Sequence, residues 1–294
     1  MIQTKTIPLN GVNIHYVEAG QAGPALVILH GITGSHTSFL HLIPALAQQA
    51  HVYALDLRGH YLSGHTPGAY QLADYGQDVV AFLQSVVKQP AILVGHSLGG
   101  MVAVWAAAQA AEWVRGVFLE EPPLFISQPP RLQETPFYGL FTFLRQQLQQ
   151  YHGSRGRLED MMAFVGQSPV DAGRTMLEAF GPELVRQRAM ELDQMDPTIL
   201  DVAIDGLLLG QENPDVLLRQ VRCPAYLLAG QVEFGGVLEA SDVERIRAAL
   251  PTCPHIVFQQ TGHLIHREKP EAYLQALQPF ITRINGHNTD AGSQ

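Results

Sequence analysis

Apolar and polar positions alternate along this chain in two rhythms, one of period two and one of period 3.6. Residues 4–8 and 12–17 read as short strands around Asn10-Gly11, a pair that favours a hairpin turn. Residues 25–29, Ala-Leu-Val-Ile-Leu, are an unbroken apolar run, the pattern of a strand buried on both faces of a parallel sheet. Helical spacing follows over residues 37–48, 72–87 and 98–111, with strands between them at 52–55, 91–94 and 116–119. Strands separated by helix-length segments predict βαβ units, right-handed crossovers and helices on both faces of one sheet.

The rhythm breaks at Pro122-Pro123. Residues 122–214 are rich in Leu, Met, Phe and Gln, show helical spacing at 137–150, 158–165 and 182–192, and contain no convincing strand. Alternation then resumes with a strand at 225–229, a helix at 241–250, a strand at 255–259 and a final helix from Pro270. Tyr273, Leu277, Phe280, Ile281 and Ile284 form its apolar stripe, with Pro279 a kink. The expectation is an α/β fold, a doubly wound and mostly parallel sheet, made by residues 1–121 and 215–284. Residues 122–214 form an inserted helical cap, and residues 285–294 a frayed polar tail.

Composition narrows the class. With 46% hydrophobic and 15% charged residues, the 294-residue chain can bury a large core. A formal net charge of −9 argues against nucleic acid and anionic membranes as partners. No run approaches the roughly 20 apolar residues of a membrane span, and residues 1–10 lack the character of a signal peptide. Cys223 and Cys253 read as free buried thiols beside strands, so a cytoplasmic monomer or homodimer is expected. No phosphate cradle, arginine pair for a carboxylate or metal cluster stands out, and no cofactor is implied.

Candidate chemistry begins at Gly95-His96-Ser97-Leu98-Gly99. A G-x-S-x-G sequence means little alone, but here an apolar strand runs into it and an Ala-rich helix leaves it. So tight a strand-to-helix turn crowds the positions two before and two after the serine, and both must be glycine. Ser97 is then lifted above the sheet edge as a candidate nucleophile. A serine hydroxyl needs a base, and His263, after the strand at 255–259 and preceded by Gly262, ends at that same edge. An oxyanion needs two N–H donors. Leu98, at the helix start, supplies one, and Ile32, in the loop His30-Gly31-Ile32-Thr33-Gly34-Ser35, the other.

In these features the chain resembles the α/β-hydrolase family over nearly its whole length. His30-Gly31, Asp56-Leu57-Arg58-Gly59, the elbow and Gly262-His263 stand in family order, and Tyr61 departs from it where relatives carry glycine. The resemblance implies hydrolysis through a Ser-His-acid triad. Dehalogenases and epoxide hydrolases of the family use an aspartate nucleophile, so Ser97 argues against both. The acid has two candidate places in the family. One, after the strand that follows the cap, falls on Glu233 of Gly230-Gln-Val-Glu233. The other, after the strand before the cap, falls on Glu121 of Leu119-Glu120-Glu121-Pro122. The loop after Glu233 lacks the usual proline, which favours Glu121, with Glu233 the alternative and Glu120 a third choice.

The cap carries Leu124, Phe125, Phe137 and Phe141, and behind them Tyr138, Phe143, Met161, Met162 and Phe164. Taken singly, each of these is accounted for by ordinary helix packing; together they predict an apolar roof over Ser97. The expected reaction is cleavage of a small hydrophobic ester or lactone through an acyl-enzyme. The alternatives are C–C or thioester hydrolysis by the same triad, or a non-catalytic ligand-binding protein on the same fold.

Overall fold

Side chains of the apolar run at 25–29 leave the sheet on alternate sides in the computed structural model, which describes residues 1–171, 173–250 and 252–286. The strands are β1 (Gln3–Leu9), β2 (Val12–Ala19), β3 (Ala25–Leu29), β4 (His51–Leu55), β5 (Ala91–His96), β6 (Val114–Glu120), β7 (Pro169–Asp171), β8 (Arg174–Thr175), β9 (Ala225–Ala229) and β10 (His255–Val257). Helices α1 (Ile43–Leu46), α2 (Leu72–Phe82) and α3 (Leu98–Gln109) alternate with the early strands. Helices α4 (Pro136–Gly153), α5 (Leu158–Gln167), α6 (Met176–Asp193) and α7 (Thr198–Ile204) follow β6. Helices α8 (Pro214–Gln220), α9 (Ala240–Ala249), α10 (Ile265–Glu268) and α11 (Pro270–Gly286) accompany the last strands.

Eight strands make one sheet in the order β1-β2-β4-β3-β5-β6-β9-β10, and β7 pairs with β8 apart from it. The β1–β2 hairpin and the β2–β4 pair are antiparallel; the remaining pairs of the large sheet are parallel. Ala25, Val27 and Leu29 pack with Val79 of α2 and Met101 of α3. Leu26 and Ile28 face the other way, onto Phe39, Leu42 and the α11 residues Tyr273 and Phe280. Burying each such side chain contributes about 1.5–3 kcal/mol, which fixes the sheet between its two helical layers. Because β3 pairs with both β4 and β5, the strand order reverses there. The crevice at the carboxyl ends of β3 and β5 is the switch point where such sheets bind ligands.

Several local expectations change. The helix read over 37–48 is a 3₁₀ turn, His36–Phe39, followed by the single turn α1. Pro44 lies in the first turn of α1, where its missing N–H is tolerated; inside a longer helix it would remove a hydrogen bond. The cap does contain a strand pair, β7–β8. The helix read over 182–192 is the second of two that α6 joins, a short helical segment preceding it and Gly181, with φ 78° and ψ 174°, breaking the helix before Pro182. Helix α11 runs through Pro279 to Gly286, so the predicted tail loses its first two residues to helix, and residues 287–294 lie outside the described residues. Cys223 and Cys253 are free and half-buried, and burial pushes each thiol up to about 12. Among the described residues no helix is long and apolar enough to cross a membrane.

Candidate active site

Strand β5 delivers Ser97 in a backbone conformation that few L-residues adopt, φ 53° and ψ −117°, before α3 begins at Leu98. The glycines explain how the turn closes. A Cβ on Gly95 would lie 2.3 Å from the Gly99 oxygen, and one on Gly99 would lie 2.2 Å from the Leu29 oxygen. The Ser97 N–H donates to the Glu120 carbonyl of β6 at 2.8 Å, which ties the strained residue to the neighbouring strand. Backbone strain held this way by its surroundings is a mark of functional positions.

The loop from His30 to Ser35 lies directly against the elbow, since a Cβ on Gly31 would come 3.3 Å from the Ser97 Cβ. Its peptide planes are held by side chains that sequence reasoning had left without a role. The Gly31 carbonyl accepts from His30 Nδ1 at 2.7 Å and from the Gly34 N–H at 2.9 Å. In a trans peptide the next N–H points the opposite way, so these two bonds aim the Ile32 amide. His30 Nε2 in turn accepts the Leu57 N–H at 3.0 Å, which leaves the proton on Nδ1. Burial, with His60 nearby, lowers the pKa of His30 to about 3, so the neutral tautomer this arrangement needs is the one present. His60 Nε2 lies 2.7 Å from the Ile32 carbonyl and fixes the following peptide. The Leu98 N–H opens α3 and has no partner within the helix.

The candidate acid Glu121 follows β6. Glu121 is fully buried, with φ 51°. Its Oε2 lies 3.3 Å from His263 Nδ1, while its two oxygens accept the Gly230 N–H at 2.8 Å and the Val237 N–H. The loop that carries Glu233 thus serves Glu121 through its backbone. Glu233 itself is exposed on the 3₁₀ turn Val232–Phe234. Glu120 points to the other side of the strand, where it accepts from the backbone N–H and Nδ1 of His266 at 3.0 and 2.9 Å. His263 keeps 17% of its side chain exposed, against none for Glu121.

Among the described residues, two clusters could offer three ligand atoms to a metal ion: His15, His36 and Asp56, and His96, Glu120 and His266. In both, the carboxylate already accepts imidazole and amide N–H groups. Burial alone would raise the Asp56 pKa, but hydrogen bonds from His15 and His36 hold it below the usual carboxylate range. Tyr61, the departure from the family pattern, takes the left-handed conformation itself at φ 43°. The turn is kept at a cost of about 1–2 kcal/mol.

From the cap, the Phe137 ring stands 5.4 Å from that of His263, with Phe141 6.1 Å beyond it. Leu124 and Phe125 are buried, and the Arg245 guanidinium carbon stands 3.9 Å from the centre of the Phe125 ring. Helix α6 grips the loop that bears Ile32. Its buried Glu191 accepts from Ser35 Oγ at 3.0 Å and from Thr37 Oγ1, and Arg188 donates to the Thr33 carbonyl at 2.8 Å and to Glu191. Burial opposes the charge on Glu191, yet Arg188 and these donors hold its pKa below the ordinary value. Nothing in the one-dimensional pattern singles out Glu191 beyond its i+3 spacing from Arg188.

Known proteins share this fold. The alpha/beta hydrolase family profile matches residues 26–276. N-formylmaleamate deformylase of Pseudomonas putida is 28% identical over 284 residues, which cover 94% of this chain and 95% of that one. A 2-(acetamidomethylene)succinate hydrolase of Mesorhizobium japonicum is 24% identical over 292 residues, 95% of each chain. The crystal structure of the enol-lactonase from Burkholderia xenovorans shares the fold, with a TM-score of 0.72 at 16% identity over 95% of this chain and 100% of that one.

Proposed function

The chain belongs to the α/β-hydrolase family and is a hydrolase, and we propose that within that family it is a serine hydrolase cleaving a hydrophobic carboxylic ester or lactone. The observation that carries this reading is the seating of buried Glu121 against His263 Nδ1 at 3.3 Å, at the sheet edge where the elbow presents Ser97. Glu121 fixes the tautomer that leaves His263 Nε2 free to take the Ser97 proton. Ser97 then attacks the carbonyl carbon, and the charge that forms on its oxygen is met by the Ile32 and Leu98 amides. The alcohol departs with the proton from His263, and water, deprotonated by the same imidazole, releases the acid. Phe137, beside His263, and Phe141, packed on Phe137, support an apolar acyl or alcohol group. The serine at position 97 is at odds with an epoxide hydrolase, whose nucleophile is an aspartate.

A fluorophosphonate tests the nucleophile: one phosphonyl mass is expected on the peptide holding Gly95–Gly99, and Ser97→Ala abolishes both label and turnover. Label elsewhere, or undiminished hydrolysis by Ser97→Ala, refutes the reading. Across p-nitrophenyl esters the rate is expected to peak beyond acetate, since each buried methylene adds about 0.8 kcal/mol. An acetate-peaked profile argues against an apolar pocket and leaves the triad standing. A second reading, hydrolysis of an N-acyl amide, is supported by the names of two relatives that match almost end to end, the deformylase and the 2-(acetamidomethylene)succinate hydrolase. Comparing N-formyl and N-acetyl amides with esters of matched acyl groups separates the two.

A further inference from the structure

The imidazole between the first glycine and the serine of the elbow touches more of the site than the elbow alone requires. His96 Nε2 lies 2.9 Å from the carbonyl oxygen of His263. Its ring centroid stands 4.6 Å from that of His263 and 4.9 Å from that of His266. A Cβ on Gly31 would fall 2.8 Å from His96 Nδ1, so the loop that bears Ile32 rests on the ring edge and needs glycine there. The ring cannot drift relative to the nucleophile, because the next residue is Ser97, tied through its N–H to Glu120.

We propose that His96 is a positioning residue whose Nε2–H, donated to the His263 carbonyl, sets the spacing of base and nucleophile while its ring edge sets that of the oxyanion loop. The inference rests on the reading of Ser97 and His263 as nucleophile and base. His263 sits on a loop beyond the sheet-edge strand β10, which is three residues long. Such a loop is held less firmly than the strands at the centre of the sheet. The Glu121 contact orients the imidazole, but the backbone beneath it is anchored from the nucleophile's own strand. The role needs a neutral donor. Burial, then the nearby His263 and His266, keep the His96 pKa well below its ordinary value, so one ring nitrogen carries a proton and the other does not. With Nε2–H committed to the carbonyl, Nδ1 is the bare nitrogen that faces Gly31.

Packing alone would need the ring; positioning needs the donor. His96→Phe keeps a ring and removes the donor, whereas His96→Gln loses the ring and keeps an N–H of similar reach. On a p-nitrophenyl ester, His96→Phe is expected to lose about 10- to 100-fold in kcat, the scale of a small misplacement of reacting groups, with KM within about twofold. Fluorophosphonate labelling of Ser97 should slow in parallel, and His96→Gln should recover most of both rates. A His96→Phe enzyme with wild-type kcat overturns the proposal, as does a His96→Gln enzyme no faster than His96→Phe at equal folded fraction. If His96→Phe does not fold, His96→Met serves as the donor-free partner of His96→Gln under the same criteria. A wild-type protein that neither labels at Ser97 nor turns over the ester removes the serine-hydrolase reading, and this inference with it. Labelling and turnover that are indifferent to the donor remove only the inference.

Discussion

A carboxylate with no exposed surface is tolerable only where donors replace its lost water, and Glu121 has three: two backbone N–H groups and the imidazole of His263. Its left-handed backbone, φ 51°, turns the side chain toward His263 immediately after β6 ends. Glu120, one residue earlier, stays in the strand and reaches His266 instead. Two adjacent glutamates therefore take different histidines by virtue of one backbone turn. Replacing Glu121 by Gln keeps the volume but weakens acceptance from His263 and places an N–H₂ where acceptors are needed. Glu121→Gln is expected to lower kcat by about 10³- to 10⁴-fold, and exposed Glu233→Gln to change it less than about twofold. Steady-state kinetics of the two variants decide it; the reverse order assigns the acid to Glu233.

Elements place these residues, and some of that placement is legible in sequence. The elbow is, because its glycines answer to backbone atoms four residues away along the chain and across to β3; Gly99→Ala would drive a methyl into the Leu29 carbonyl. The placement of β3 inside the sheet is legible too, because the run at 25–29 reads as a strand covered on both faces, whereas the strand order that makes the switch point is seen only in the fold. What stays hidden is contact between distant elements. Glu191 is an ordinary acidic residue of an amphipathic stretch until α6 folds over the loop at 30–35 and meets Ser35 and Thr37. His30 stands out only as part of His30-Gly31, and His60 looks like any of the 13 histidines, until the loop's carbonyls find them. The helix read at 37–48 failed for a local reason, the turn that Pro44 begins anew. The α6 clamp carries its own prediction. Glu191→Leu leaves Arg188 without its buried carboxylate partner and removes the acceptor that Ser35 and Thr37 share, a loss of about 3–5 kcal/mol for a broken buried pair. Urea unfolding should show a lower midpoint at unchanged slope. An unchanged midpoint rejects the clamp.

At the scale of the whole molecule, the buried imidazoles make the fold sensitive to acid. His30 is lowered to about 3, and burial lowers His60 and, further, His96. In the unfolded chain each titrates near 6.5. Below that value the unfolded state binds protons that the native state refuses, so stability present above about pH 6.5 is lost as the pH falls toward 3. Each such histidine contributes a slope of up to about 1.4 kcal/mol per pH unit, and three together approach about 4 kcal/mol per unit. Asp56 and Glu191, held below their ordinary values, add to the same trend at the acidic end. A domain with about 5–15 kcal/mol of stability exhausts it before His30 reaches its own native value. On the alkaline side, the thiols of Cys223 and Cys253 keep their protons to about 12 when folded but lose them near 9 when unfolded, so stability declines again above about pH 9. The expected profile is a plateau between about pH 6.5 and 9, with a cooperative acid transition at about pH 3–5.5. Urea melts at pH 7, 6 and 5, followed by far-ultraviolet circular dichroism, should give a falling free energy and an uptake of more than one proton on unfolding at pH 5. Stability independent of pH over that range would mean that these histidines are protonated in the native state, and the tautomer that aims the Ile32 amide would have to be abandoned.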